Sequence, residues 1–225
     1  MTTAALKRKA VRVHEILLET YGQPRWGERL SAVAELVLTI LSQNTSDLNS
    51  GRAFDLLRQR FGSMEAVRDA DLAEVIETIR PAGLANQKGP RIQNILRAIT
   101  AERGALELKF LKKMPPAEAR AWLTKFNGIG PKTASIVMLF SLSIPAFPVD
   151  THVHRVTGRL GLRPEKMTAD ECHAYFEGLF PEDTFYAAHL NLIQHGREIC
   201  NARNPKCEVC PLTRLCEYYQ NGQGA

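Results

Sequence analysis

Between Pro116 and Ser141 the chain reads as helix, tight turn, helix, and the turn Phe126-Asn127-Gly128-Ile129-Gly130-Pro131-Lys132-Thr133-Ala134 restricts the fold more than any other segment. Before the turn, apolar residues recur at helical spacing (Ala117, Ala121, Trp122, Phe126). After it, Thr133 to Ser141 is almost wholly apolar, the mark of a helix buried on every side. Gly128 and Gly130 permit positive φ and leave no side chain to block an approaching backbone. Pro131 suits the first turn of a helix, where its missing N–H would be unpaired anyway. Free amides at such a turn can cradle a phosphate, although the same pattern also serves as a plain helix cap followed by a new helix.

Helical periodicity dominates the rest of the chain and strand signals are scarce, which predicts an all-α protein. Proline and glycine punctuate it at Gly22-Gln23-Pro24, Pro81-Ala82-Gly83, Pro115-Pro116, Pro145 to Pro148 and Pro181. The uncharged run from Thr133 to Val149 is too short and too broken by proline to cross a membrane, so it is expected to be a buried helix and its exit. A length of 225 residues allows one or two domains. With no N-terminal signal segment in view, an intracellular, nucleoid-associated location is expected.

Charge is unevenly distributed. From Lys88 to Lys132 there are ten basic residues against three acids, a local balance of +7, while the whole chain carries +5. Such concentration suits a protein that displaces counterions from a phosphate backbone, and it also suits a merely solvated helical face.

Near the C-terminus, Cys200, Cys207, Cys210 and Cys216 are spaced C-x6-C-x2-C-x5-C within seventeen residues. A disulfide framework fits poorly in a chain of this length with only one other cysteine, Cys172, which reads as an isolated thiol on a helix. Four thiolates this close hold a metal. Spacing leaves tetrahedral zinc and an iron–sulfur cluster both open.

The helix, Gly-Ile-Gly-Pro-Lys-Thr-Ala turn, then Val149-Asp150-Thr151-His152, then the four cysteines, together resemble the endonuclease III branch of the helix-hairpin-helix DNA glycosylases. The motifs follow the family's order and spacing from about Glu28 to Tyr218. The resemblance implies a [4Fe-4S] cluster on the four cysteines and two all-helical lobes. One is a central barrel over 30–143, and the other is a cluster lobe of 1–29 plus 144–225, with DNA crossing the cleft between them. It implies a monomer whose partner is double-stranded DNA containing damaged bases or abasic sites, with no membrane role. The cluster is expected to be structural, since base excision requires no electron transfer.

Lys132 coincides with the family's lysine nucleophile and Asp150, eighteen residues later, with its aspartate. A nucleotide flipped out of the stack exposes C1′, which the lysine attacks to expel the base; a Schiff base and β-elimination of the 3′ phosphate follow. A carboxylate near C1′ stabilises the positive charge developing on the sugar and can accept the lysine proton. Read without the resemblance, Asp150 is a helix N-cap. Serine or tyrosine at the lysine position would remove only the base, so Lys132 implies glycosylase plus lyase.

The loop Ser42-Gln43-Asn44-Thr45 matches the family segment that fills the gap left by the flipped nucleotide. Asn44 is the aligned residue, and Gln43 shares the candidacy. Leu84 in Ala82-Gly83-Leu84-Ala85-Asn86-Gln87-Lys88 resembles the apolar wedge that props the stack open. Gly128 and Gly130 in the hairpin, with Arg203 and Lys206 in the cluster loop, are expected on phosphates. His152 matches a family position near the pocket, while His154, His189 and His195 read as satisfied structural histidines. Oxidised pyrimidines are the expected lesions. Two alternatives remain: a glycosylase for mismatched thymine or uracil or for alkylated bases, and a DNA-binding iron–sulfur redox sensor without catalysis.

Overall fold

The computed structural model describes residues 3–25 and 29–222, so Glu28, where the resemblance begins, and the end of the polar tail, 223–225, lie outside the described residues. The chain divides into two compact units, one comprising residues 1–27 and 145–225 and the other residues 28–144. Among the described residues there is no strand, and no helix is long and apolar enough to cross a membrane.

The N-terminal helix α1 (Thr3–Tyr21) belongs to the first unit. The second unit holds α2 (Ala32–Ser42), α3 (Asp47–Phe61), α4 (Met64–Asp69), α5 (Leu72–Thr78), α6 (Ala85–Arg103), α7 (Pro116–Thr124) and α8 (Pro131–Ile136). Helix α2 is apolar nearly all round, and it packs against α3, α6 and α8 as the central element of this unit. Leu36, Val37, Ile40 and Leu41 of α2 are buried in the same unit as Leu57, Ile92, Leu96 and Ile99. Side-chain caps set the helix starts: Ser31, Ser46 and Ser63 each accept an amide at the third position of α2, α3 and α4, and Asp71 does so for α5.

The hairpin helices differ in detail from their sequence pattern. Ala117 and Ala121 of α7 face solvent, and the buried positions are Ala119 and Leu123. Trp122 and Phe126 are half-buried and stack edge-on with centroids 4.9 Å apart. Helix α8 keeps α geometry only to Ile136 and widens into a π-helix over Val137–Leu142, whose Val137, Met138, Leu139 and Leu142 are buried. Ser143 then ends it with φ 54°.

The first unit is completed by α9 (Thr151–Arg159), α10 (Ala169–Glu177), α11 (Phe185–Glu198) and the short α12 (Glu217–Gln220). Helices α1 and α9 both pack on α11. Its core holds Ala10, Val13, Leu17, Val153, Val156 and Leu192 together with a cluster of phenylalanines, in which Phe147 stacks on Phe180 at 5.0 Å. The extended run 145–149 carries no helical hydrogen bonds of its own, and side chains from α10 and α11 supply the partners. The Phe147 amide donates to Glu177 Oε1 (3.0 Å), His173 Nδ1 bonds Phe147 O (3.0 Å), and His189 Nδ1 bonds Pro148 O (2.9 Å). These contacts fix the peptide that delivers Asp150 to the start of α9.

Candidate nucleic-acid interface and metal centre

In the second unit, the hairpin turn spans residues 125–130 between α7 and α8. Gly128 has φ +92°, which favours glycine, and a Cβ there would lie 2.4 Å from Arg91 Cδ and Nε, so a larger residue would have to displace the Arg91 side chain. Gly130 does not use the positive φ that glycine permits. Its backbone is extended (φ −88°, ψ 176°), and a Cβ would meet nothing within 4 Å. Its bare Cα leaves an open approach instead. Pro131 occupies the first turn of α8, as expected, and the first helical bond runs from Ala134 N to Gly130 O (3.0 Å). The Lys132 and Thr133 amides precede that bond, as the unsatisfied donors of a helix start. Lys132 is the second residue of α8 and is exposed.

Substituting Gly128 by alanine combines the strain of positive φ with a collision against Arg91. A loss of about 2 kcal/mol is expected. In thermal unfolding this appears as a fall of roughly 5 °C for a chain of this size, and an unchanged midpoint would contradict the close approach.

The two candidate gap-filling residues are separated by the structure. Gln43 Nε2 donates to Gly128 O (3.2 Å) and Thr133 Oγ1 (3.4 Å), while Arg91 Nη1 donates to Gln43 Oε1 (3.0 Å). Gln43 is therefore half-buried and committed to the hairpin. Asn44 is exposed, with φ 55°. Asparagine is among the few side chains that tolerate this conformation, which turns it out of the helix path. Leu84 behaves alike: after Gly83 (φ 64°) it adopts φ 50° at the start of α6 and stays 48 % exposed, an unusual state for a leucine.

The basic segment does not form a uniform charged face. Lys88 is buried, Arg91 is held by Gln43, Arg103 lies over the Phe110 ring at 3.9 Å, and Lys125 pairs with Glu102. Lys109, Lys112, Lys113 and Lys132 are exposed. Burial withdraws Lys88 from the positive surface, so that surface is smaller by one charge than the count read from sequence.

In the first unit, Asp150 is the N-cap of α9. Its Oδ1 accepts the Val153 amide (2.8 Å), and no described residue is recorded as a partner for Oδ2. The cap occupies one oxygen and leaves the other open to a ligand, so the two sequence readings of this residue are compatible. His152 Nδ1 lies 3.1 Å from Arg155 Nη2, and His154 Nε2 bonds Met167 O (2.8 Å).

Cys200, Cys207, Cys210 and Cys216 line one pocket with Arg159, His195 and Tyr218. Four thiols around one shared space are a donor set that fits an iron–sulfur cluster as well as a tetrahedral zinc. Burial pushes the Cys210 thiol up to about 11 and raises Cys207 and Cys216, so ligation must displace protons.

Three residues not singled out as site residues by sequence reasoning surround these cysteines. Arg159 Nη1 donates to Cys200 Sγ (3.3 Å) and Asn201 O (2.6 Å), Nη2 donates to Ala202 O (3.0 Å), and its guanidinium lies 4.6 Å from the Tyr218 ring. His195 bridges Tyr21 Oη (3.1 Å) and Cys210 Sγ (3.6 Å). Burial pushes this histidine down to about 4, so the imidazole is neutral. Arg203 and Lys206 are exposed on the loop between the first two cysteines, free to reach phosphates. Cys172 is buried on α10, away from this set.

Comparison with known proteins agrees with this geometry. Residues 37–182 match the HhH-GPD superfamily of base excision DNA repair proteins, and residues 200–216 match the iron–sulfur binding domain of endonuclease III. The chain is 33 % identical to endonuclease III of Sulfolobus acidocaldarius over 86 % of its own length and 85 % of the relative's. It is 32 % identical to endonuclease III of Thermotoga maritima, over 89 % and 90 % respectively. Among solved structures, a non-covalent endonuclease III–DNA complex superposes with a TM-score of 0.83 at 25 % identity, covering all of both chains.

Proposed function

Since this chain belongs to the HhH-GPD superfamily of base excision DNA repair proteins, we propose that Lys132 and Asp150 are its catalytic pair and that oxidised pyrimidines in duplex DNA are its substrates. The protein is a DNA glycosylase and AP lyase carrying a [4Fe-4S] cluster. The observation that carries the residue assignment is Lys132 itself, an exposed amine one residue beyond the Gly130–Pro131 turn of the hairpin.

With the damaged nucleotide extruded, the free amine of Lys132 forms a bond to C1′ as the C1′–base bond breaks, and the base departs with the bonding electrons. Asp150 stabilises the cationic sugar through its uncommitted oxygen and accepts a proton from the attacking nitrogen. Ring opening gives the Schiff base. Loss of a C2′ proton then expels the 3′ phosphate and cuts the strand. Asn44 and Leu84 enter the stack where the nucleotide was, while Gly128, Gly130, Arg203 and Lys206 hold phosphates and Gln43 keeps the first loop seated on the hairpin. Cys200, Cys207, Cys210 and Cys216 would hold the cluster, whose ligation supplies rigidity to the loop bearing Arg203 and Lys206. The protein is proposed to act as an intracellular monomer.

Borohydride reduction in the presence of an abasic duplex tests this reading: the wild-type protein is expected to become covalently linked to DNA, and the absence of an adduct would remove the lyase assignment. Excision measured across oxidised pyrimidines, mismatched thymine and uracil, and alkylated bases tests the lesion class.

Asp150→Asn keeps an oxygen for the Val153 amide but removes the charge. It is expected to lower single-turnover excision by about 10²-fold or more while leaving the thermal midpoint in place. Asp150→Ala also loses the cap, at about 1 kcal/mol. Equal excision by wild type and Asp150→Asn would leave Asp150 a cap and nothing more.

A further inference from the structure

Lys88 is 2 % exposed, and it is among the largest fully buried side chains of the protein. A buried lysine is a rare choice, and its partners account for it. Its Nζ donates to Leu41 O (2.7 Å) and to Ala82 O (2.8 Å). Leu41 lies in the last turn of α2, where carbonyls lack helical partners, and Ala82 ends the 3₁₀ turn Arg80–Ala82. One amine therefore caps two helix C-termini, where a positive charge is favoured. Burial, and then Arg91, push its pKa below the usual lysine value, yet charged or neutral the amine keeps hydrogens for both carbonyls.

Each capped end runs directly into a residue of left-handed backbone. Three residues after Leu41 comes Asn44 (φ 55°), and after Ala82 come Gly83 (φ 64°) and Leu84 (φ 50°). We propose that Lys88 is a positioning residue that ties the roots of the two insertion loops together, so that Asn44 and Leu84 enter the DNA stack as one unit. This rests on the assignment of those two side chains as the inserted residues. Independent loops would let the leucine wedge without the asparagine filling, and the extruded nucleotide would fall back. A shared anchor makes filling and wedging simultaneous, so the benefit appears in the rate and persistence of extrusion rather than in affinity for undamaged DNA.

A double-substitution cycle tests the link. The probe is a duplex with thymine glycol opposite 2-aminopurine, whose fluorescence reports unstacking, with single-turnover excision followed in parallel. In the wild-type background, Asn44→Ala and Leu84→Ala are expected to slow extrusion about 10-fold each and about 10-fold together, since losing either disables the pair. In a Lys88→Met background the baseline rate is expected to be about 10-fold lower and the two effects to multiply, with affinity for undamaged duplex unchanged and Lys88→Arg restoring much of the rate. If the two effects multiply in the wild-type protein, the proposal is overturned without recourse to any Lys88 variant, even should Lys88→Met fail to fold. If neither Asn44→Ala nor Leu84→Ala slows extrusion, the loop assignment itself fails, and the link to Lys88 falls with it.

Discussion

Lys132→Ala is expected to abolish the borohydride-trapped adduct and to lower strand cleavage at abasic sites by at least about 10³-fold, because no other group in the mechanism can form the Schiff base. Lys132 is exposed and its substitution leaves no cavity, so stability should remain within about 0.5 kcal/mol of wild type. Affinity for an abasic duplex should fall only modestly, since the hairpin amides remain. Gel analysis of the reduced reaction, beside a thermal unfolding curve, reads both quantities. An adduct formed by Lys132→Ala would reassign the nucleophile to another amine.

The second large effect belongs to the cluster ligands. Between Asn201 and Gly222, Leu212 is the only buried hydrophobic residue, so this loop has almost no apolar core of its own. The hydrogen bonds from Arg159 and the four thiolates supply what burial does not. Cys210→Ala is therefore expected to eliminate the visible absorption of the iron–sulfur chromophore and to expose the 200–216 loop to proteases, whereas the core around α2, in the other unit, stays protected. Binding to DNA should weaken as Arg203 and Lys206 lose their fixed positions. Full chromophore and iron content in Cys210→Ala would show that Cys210 is not a ligand. Arg159→Ala offers a milder comparison, removing the bonds to Cys200, Asn201 and Ala202 while leaving every thiolate in place.

Several roles were recoverable from short windows of sequence. The four cysteines lie within seventeen residues, the helical start after Gly130-Pro131 was readable from two residue types, and Asp150 caps a helix three residues from the amide it accepts. Of the four candidate histidines, His154 and His189 proved to be partners of backbone carbonyls, as their ordinary chemistry suggests. What short windows misjudged was the state of individual charges. Lys88 and Arg91 were counted in the basic segment alike, although one is buried and the other is tied to Gln43. Gly128 and Gly130 both permit positive φ, yet only Gly128 of the two adopts it.

Sequence by itself therefore determined the helical class and the hairpin, and supplied the candidate cluster ligands and the candidate nucleophile, because each depends on residues adjacent in the chain or on a chemistry few side chains possess. Tertiary structure decided which residues are free to act. Gln43 finds its partners 85 and 90 residues away, Lys88 reaches across 47, and His195 joins Tyr21 across 174. Such pairings arise from helix packing, which sets burial and hydrogen-bond geometry through contacts that no local pattern encodes. That is why Asn44 and Gln43, neighbours in sequence and both candidates there, separate into an exposed residue and an anchor only once the chain is folded.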